Sequence, residues 1–221
     1  MNIQRVQNLI TKFRNQRVAV IGDLMIDRYI WGTASRISQE APVPVVVVDR
    51  ETAAPGGAAN VLRNLASLGA QPLAFGVIGD DPSGHELCTL LEEHGVATEG
   101  VIHDSTRMTT EKTRIICDHQ QVVRVDSERT QALGEDHEAA LIGLLDDEIR
   151  SRSLDAIIVE DYNKGTVTES LLAGVAELGR RHGIHVALDP HPSNRASTLG
   201  ISTMTPNRSE AFAMTGVYPC P

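Results

Sequence analysis

The chain has 221 residues, 41% of them hydrophobic, which is enough for one substantial hydrophobic core and a small additional unit. Its formal net charge at pH 7 is −9, and this excess of acid argues against a nucleic-acid-binding surface, which needs clustered Lys and Arg side chains. No apolar run approaches the roughly 18–20 residues that span a bilayer, and the N-terminal residues lack the apolar core of a signal peptide, so we expect no association with a membrane.

Strand and helix signals then alternate along most of the chain. In chain order we predict a strand at 17–21, a helix at 60–68, a strand at 72–78, a helix at 82–94, a helix at 135–149, a strand at 156–159, a helix from the Thr168 cap to His182, a strand at 184–188, a strand at 201–204 and a helix at 208–214. This order is typical of an α/β fold with a mostly parallel sheet and helices on both faces.

Two stretches interrupt this alternation. The segment at about 28–49 contains extended, valine-rich runs, and the segment at 111–126 contains two β-rich runs joined by a hairpin signal at 118–120. Together they predict a small antiparallel sheet inserted into the α/β domain, either as a lid over a ligand crevice or as a dimerisation surface through its apolar face. The alternative is that they are extra edge strands of the main sheet.

Polar residues follow most of the predicted strands of the main sheet. They are Asp23, Asp80, Glu160, Asp161, Asp189 and Asn207. Because the carboxyl ends of the strands in an open α/β sheet form the ligand crevice, several acidic residues at this edge favour a site that handles hydroxyl groups and could hold a metal ion.

A run of small residues precedes the first helix of the predicted fold. Gly56 and Gly57 are followed by two alanines and Asn60. Small residues at the start of a helix let a ligand approach the unpaired backbone N–H groups of its first turn, and Asn60 can both donate and accept hydrogen bonds. The alternative is a glycine-rich loop before an ordinary packed helix.

The three cysteines are Cys88, Cys117 and Cys220. They lack the spacing of a metal site, and three cysteines cannot all pair within one chain. We therefore expect a reducing, cytoplasmic setting.

Five short segments of the chain resemble, in the same order, segments of the ribokinase-like (PfkB) sugar kinases. The matching stretches are 22–23, 56–60, 79–84, 189–190 and 205–210. More narrowly, 22–32, 38–45 and 160–165 are similar to the heptose-7-phosphate kinases of lipopolysaccharide biosynthesis. The resemblance covers 18–216 and implies a ribokinase-like, doubly wound sheet with a β lid, a cytoplasmic enzyme, and a homodimer formed through the lid.

The resemblance also implies an activity and a set of sugar-binding residues. The activity is ATP-dependent phosphorylation of the anomeric hydroxyl of D-glycero-D-manno-heptose 7-phosphate. The sugar would contact Asp23, Gly56, Gly57 and Asn60. The phosphate of the substrate needs positive charge, which Lys112, Arg114 and Lys164 would supply, with Arg63 a weaker candidate.

The family's Asn-x-x-Glu motif matches Asn207 and Glu210. In the family this motif organises Mg²⁺ and the ATP phosphates, and Glu210 would hold the metal through water, since Mg²⁺ keeps several waters of its own. The alternative for Asn207 is that it only caps the helix at 208–214. The P-loop pattern G-x-x-x-x-G-K-[ST] does not occur, which excludes phosphate binding of that type.

The family's catalytic Gly-Ala-Gly-Asp segment does not occur in these 221 residues, the last of which is Pro221. Its amides bind the transferred phosphoryl group and its Asp is the general base. We therefore expect the catalytic Asp to lie beyond Pro221. Residues 1–221 would form one incomplete ribokinase-like domain that transfers phosphoryl groups poorly or not at all on its own.

Three other functions stay open. The chain could belong to another ribokinase-like kinase, acting on a pentose, a hexose or a nucleoside. It could also be a natural short form, kept as a non-catalytic module for sugar-phosphate binding or dimerisation. A dinucleotide-dependent dehydrogenase is disfavoured, because no G-x-G-x-x-G follows the first strand.

Overall fold

The computed structural model describes residues 3–194 and 197–217. The elements in chain order are α1 (Ile3–Phe13), β1 (Arg17–Gly22), β2 (Leu24–Ile37), β3 (Pro44–Gly57), α2 (Ala58–Ser67), β4 (Gln71–Gly79), α3 (Pro82–Glu93), β5 (Ala97–Asp104), β6 (Thr110–Cys117), β7 (Gln120–Ser127), α4 (Glu135–Ser151), β8 (Ala156–Glu160), α5 (Glu169–His182), β9 (His185–Asp189), β10 (Thr203–Met204) and α6 (Arg208–Thr215).

Two residues on which the sequence predictions depend, Cys220 and Pro221, lie outside the described residues. The structure therefore does not test the prediction that the catalytic Asp follows Pro221, and it does not test the state of the Cys220 thiol. Both stay predictions.

The main sheet is parallel and has six strands in the order β10-β9-β8-β1-β4-β5. Its central strand β1 buries both of its faces. Ala19 and Ile21 contact the core under α4 and α5, whereas Val20 contacts the core under α2 and α3. Such two-sided burial explains why the strands of this sheet are continuous apolar runs. The predicted α/β class and the two helical layers are confirmed.

The second sheet has four strands in the order β3-β2-β6-β7 and corresponds to the predicted inserted sheet, which we call the lid. Its two outer pairings are antiparallel, but the central pairing of β2 with β6 is parallel, so the lid is mixed rather than wholly antiparallel. The strands β2 and β3 are longer than the segment 28–49, because Gly56 and Gly57 pair with Met25 and Leu24 instead of forming a loop.

The sequence patterns did not predict two elements. β5 pairs with β4 at one edge of the main sheet, and its polar residues and Gly100 hide the apolar signal of a strand. Each residue of the helix α1 is at least partly exposed, so this helix has no buried face from which we could predict it. The strand predicted at 201–204 is reduced to the two residues of β10. Within the described ranges, no helix has the length and apolar character to cross a membrane.

Candidate active site

Asp23 connects three parts of the fold at the carboxyl edge of the main sheet. It lies between β1 and β2 and is only 1% exposed. Its Oδ2 accepts hydrogen bonds from the backbone N–H groups of Tyr162 and Lys164 at 2.8 and 3.0 Å, and its Oδ1 accepts one from Thr166 at 3.0 Å. Its own carbonyl accepts the N–H of Ala58 at the start of α2. In this arrangement Asp23 fixes the loop that follows β8. Its predicted contact with sugar hydroxyls stays a prediction, since its oxygens face backbone amides.

Gly56 makes room for a different carboxylate, that of Asp27. A Cβ atom built at residue 56 would lie 2.9 Å from Oδ2 of Asp27, a distance that real Cβ atoms do not show. Gly57 is equally constrained, with a positive φ of 53° and a Cβ position 2.7 Å from the Asp23 carbonyl oxygen. The two glycines therefore let the chain pass close to the side of β2 from which Asp27 projects.

Arg114 pairs with Asp27 across the lid. The Arg114 Nη1 and Asp27 Oδ1 atoms are 2.7 Å apart, and the guanidinium also lies over the Tyr29 ring at 5.2 Å. Burial acts to lower the pKa of Arg114, but the hydrogen bond and charge of Asp27 outweigh it, so that the pKa is raised. Arg114 is one of the predicted residues. Asp27 was missed, although its place in a strand four residues after Asp23 could have signalled it.

The other two predicted cations meet at one carboxylate, Glu128. Lys164 Nζ lies 2.8 Å from Glu128, and Lys112 Nζ lies 3.3 Å from it and 3.2 Å from Asp126. The hydrogen bond from Lys164 holds the pKa of Glu128 below its usual range. Because Lys112 and Arg114 are two residues apart on β6, their side chains share one face of the lid. The structure thus brings the three predicted cations together, each balanced by a carboxylate.

Asn60 lies in the first turn of α2 and is half-buried. Its Oδ1 accepts a hydrogen bond from Arg63 Nη2 at 2.7 Å. Arg63, the weaker candidate for phosphate, is therefore held by Asn60, which leaves the amide Nδ2 of Asn60 as the donor that a ligand could use.

Glu160, at the end of β8, is buried with 5% exposure. Burial, together with the nearby charge of Asp189, raises its pKa to about 7, and a hydrogen bond with Tyr162 opposes this rise. Burial, together with the charges of Glu160 and Asp189, raises the pKa of Tyr162 to about 12. Of these two groups, the Glu160 carboxyl is the one that takes up or releases a proton near neutral pH.

Asn207 and Glu210 form a capping box at the start of α6. The Asn207 Oδ1 accepts the N–H of Glu210 at 3.0 Å, and Glu210 Oε2 accepts the N–H of Asn207 at 2.7 Å. The capping alternative for Asn207 is thus realised in this structure. It is compatible with a metal role, because a carboxylate oxygen that accepts one hydrogen bond has a second lone pair for a metal-bound water.

The comparisons with known proteins concern the family and the fold of the chain. The sequence profile of the pfkB family carbohydrate kinases matches residues 15–218. The chain is 42% identical over 217 residues to a protein of Citrifermentans bemidjiense named bifunctional protein HldE, covering 98% of this chain and 44% of that relative. The chain thus spans less than half the length of this curated relative.

Solved structures show the same fold at low sequence identity. The ribokinase of Arabidopsis thaliana, determined with ribose and ATP, aligns with a TM-score of 0.65 at 17% identity, covering 92% of this chain and 63% of that one. The tetrameric inhibited form of Escherichia coli phosphofructokinase-2 aligns with a TM-score of 0.70 at 17% identity, covering 91% and 64%.

Proposed function

Because the chain belongs to the pfkB family of carbohydrate kinases, we propose that it is the sugar-binding part of an ATP-dependent kinase for D-glycero-D-manno-heptose 7-phosphate. The phosphoryl group would go to the anomeric hydroxyl of this sugar. The choice of a heptose rests on the motif segments at 22–32, 38–45 and 160–165, and a sugar kinase of this kind would serve ADP-heptose and lipopolysaccharide core synthesis.

One observation carries the proposal: an acceptor for hydroxyl groups and a cluster of cations share one face of the lid. Asp27, held beside Gly56, would accept hydrogen bonds from sugar hydroxyls, as a carboxylate can from two or more donors. Lys112, Lys164 and Arg114 would receive the phosphate, which carries about −1.5 to −2 charges at pH 7. This phosphate would take over the hydrogen bonds that Glu128, Asp126 and Asp27 now receive.

The remaining site residues would position the substrate. Asp23 would act through the loop at 162–166, whose amides it holds, and so place Lys164. Gly57 and Asn60 would line the sugar pocket at the start of α2. Since phosphoryl transfer depends mainly on positioning and charge stabilisation, these contacts would supply orientation. The general base would belong to a segment beyond Pro221, as the family resemblance implies.

ATP is the proposed co-substrate, as in the ribokinase solved with ribose and ATP. Asn207 and Glu210 would organise its phosphates and hold Mg²⁺ through water. When bound, Mg²⁺ neutralises charge on the transferred phosphoryl group. Cys88 and Cys117 are free thiols, which suits a cytoplasmic enzyme.

We also propose that the lid mediates a homodimer. Val123 and Val125 pair with Ile115 and Thr113 of β6, on the face opposite Lys112 and Arg114. Both valines are exposed. A second copy of this chain would cover this apolar face and leave the polar face over the sugar.

Calorimetric titration with heptose 7-phosphate tests the proposal, with ribose and fructose 6-phosphate as comparators. We expect saturable binding that favours the heptose, its loss in Asp27→Asn, and its retention in the exposed control Asp49→Asn. Equal affinity for fructose 6-phosphate would favour another sugar kinase, and no binding by folded protein would refute the heptose assignment.

A measurement of ATP-dependent ADP release completes this test. We expect little turnover from the 221-residue chain and full turnover from a longer chain that contains the Gly-Ala-Gly-Asp segment. Binding without turnover in the longer chain as well would favour a non-catalytic sugar-phosphate-binding module.

A further inference from the structure

A second cluster of ligating side chains lies apart from the lid crevice, where α3 meets the edge strand β5. Asp80 follows β4, His85 belongs to α3 and His103 to β5. Their ligand atoms all lie within 4.8 Å of one another, and all three side chains are exposed to solvent. His85 Nε2 lies 3.1 Å from Asp80 Oδ1.

A thiol completes the cluster. Cys88 is three residues after His85 on α3, so that both side chains project from the same face of the helix. The Cys88 Sγ and His103 Nε2 atoms are 3.9 Å apart. The imidazole rings of His85 and His103 stack with a centroid distance of 5.2 Å.

The backbone that carries these side chains is held firmly. Asp81 caps α3 by accepting the N–H of Gly84 at 2.8 Å, and its other oxygen accepts the N–H of Thr109 at 2.8 Å. The N–H of Asp80 bonds to the carbonyl of Asp104 at 3.3 Å, next to His103. Cys88 is not one of the three residues whose ligand atoms all lie within 4.8 Å of one another, so its side chain would rotate toward the ion on this fixed backbone.

We propose that Asp80, His85, Cys88 and His103 form a binding site for a transition metal ion such as Zn²⁺. With the bond lengths usual for zinc, a tetrahedral ion holds nitrogen and oxygen ligands about 3.4 Å apart and nitrogen and sulfur about 3.6 Å apart. The His85–Asp80 distance of 3.1 Å and the Cys88–His103 distance of 3.9 Å each lie within a few tenths of an ångström of the corresponding value. Two imidazoles, a thiol and a single carboxylate suit zinc and its neighbours and do not suit Mg²⁺ or Ca²⁺, which take oxygen ligands.

Metal binding would replace the proton of Cys88, because sulfur binds a metal ion as the thiolate.

The site would link α3 to β5 and, through α3, would stabilise the position of the lid strands β2 and β6. Ser83 Oγ donates to Glu111 at 2.8 Å, and Glu86 pairs with Arg28 at 2.7 Å. Both partners belong to lid strands. A metal ion on α3 would thus act on the lid without touching the sugar.

Titration of the metal-free chain with Zn²⁺ tests this proposal. We expect one equivalent to bind, and His85→Ala and His103→Ala each to weaken binding by at least about tenfold, the lower end of what even an outer-shell loss costs. The exposed His94 and His119 provide matched controls, and His94→Ala and His119→Ala should leave the affinity unchanged. Retained affinity in both His85→Ala and His103→Ala would overturn the site.

Two measurements on the thiol complete the test, and the first of them needs no variant. Zn²⁺ should protect Cys88 of the unaltered chain from alkylation, as peptide mapping by mass spectrometry would detect. With Co²⁺ as probe, we expect a thiolate-to-metal absorption band that Cys88→Ser abolishes. Undiminished alkylation of Cys88 at saturating Zn²⁺ would rule out Cys88 as a ligand and the four-ligand site with it.

Discussion

Gly56 and Asp27 lie so close together that any side chain at residue 56 would have to displace the Asp27 carboxylate, because a Cβ atom there would lie 2.9 Å from its oxygen. The glycine at this place is therefore a requirement of the neighbouring carboxylate. The glycine of the sequence motif therefore serves to leave space for Asp27, the residue proposed to contact the sugar.

We expect Gly56→Ala to displace Asp27 and to weaken the binding of heptose 7-phosphate by at least about tenfold, together with a stability loss of about 1–3 kcal/mol from overpacking. Calorimetry and urea denaturation would measure the two effects. Gly143→Ala is the control, since a Cβ atom there meets no atom within 4 Å. An unchanged affinity in Gly56→Ala would show that the position of Asp27 does not matter for the sugar.

The cations around Glu128 should distinguish phosphorylated from unphosphorylated sugars. We expect Lys112→Gln and Lys164→Gln each to lower the affinity for the sugar phosphate by about 10- to 100-fold, the worth of a hydrogen bond to a charged group, and to change the weak binding of ribose little. Calorimetry with both ligands would show this, and Lys12→Gln on exposed α1 is the control. An equal loss for both ligands would contradict a phosphate role.

The three backbone hydrogen bonds to Asp23 should make it important for stability. In Asp23→Asn one oxygen becomes an N–H donor that faces buried amide donors. We expect a loss of about 2–3 kcal/mol in the free energy of unfolding, because a charged acceptor is lost and an amide stays unsatisfied. Urea denaturation compares this variant with Asp118→Asn in the exposed hairpin turn of the lid. Equal stability of the two variants would contradict the positioning role.

The raised pKa of Glu160 predicts a pH-dependent stability. Between its unfolded value near 4.3 and its folded value of about 7, the folded chain keeps a proton that the unfolded chain releases. The free energy of unfolding therefore falls as pH rises through this window, by up to about 3 kcal/mol, and this loss levels off once the pH exceeds the folded pKa.

Glu160→Gln should remove this part of the pH dependence and be the more stable form at about pH 8, where the native carboxylate is buried with its charge. Denaturation at several values between about pH 5 and 8 would test it, with Glu93→Gln on the surface of α3 as the control. Identical pH profiles of the unaltered chain and Glu160→Gln would contradict the prediction.

The lid dimer should depend on Val123 and Val125. We expect Val123→Asp combined with Val125→Asp to give a monomer by light scattering at concentrations at which the unaltered chain is a dimer, since burying two charges without partners is costly. Leu199→Glu, an exposed position outside the lid, should leave the dimer intact. A dimer that survives the double substitution would place the interface elsewhere.

The sequence predicts the main sheet well, because each central strand is an apolar run and each of α2, α3 and α5 ends at a recognisable cap or glycine. It also predicts the lid strands, which depend on local patterns. The grouping of Lys112, Arg114 and Lys164 follows from the family resemblance and not from a local pattern.

The orientation of the two acidic residues near β2 could not be predicted. Asp23 turns inward because three amides of the loop at 162–166, far away in the sequence, surround it. Asp27 belongs to the proposed site because Gly56 and Arg114 contact it from two other strands. Neither relationship leaves a periodic signal in the sequence, since both arise only when distant segments pack together.

Two of the four chain connections between the lid and the rest of the fold have almost no intervening chain. β1 ends at Gly22 and β2 begins at Leu24, while β3 ends at Gly57 and α2 begins at Ala58. These two crossings thus lack a linker that could serve as a hinge. At these two crossings the lid can move over a ligand only by bending of β2 and β3 themselves, and the irregular pairing around Gly32 and Thr33 lets the outer part of these strands bend. Bending of this kind orders few backbone residues, and so the entropic cost of lid movement is small.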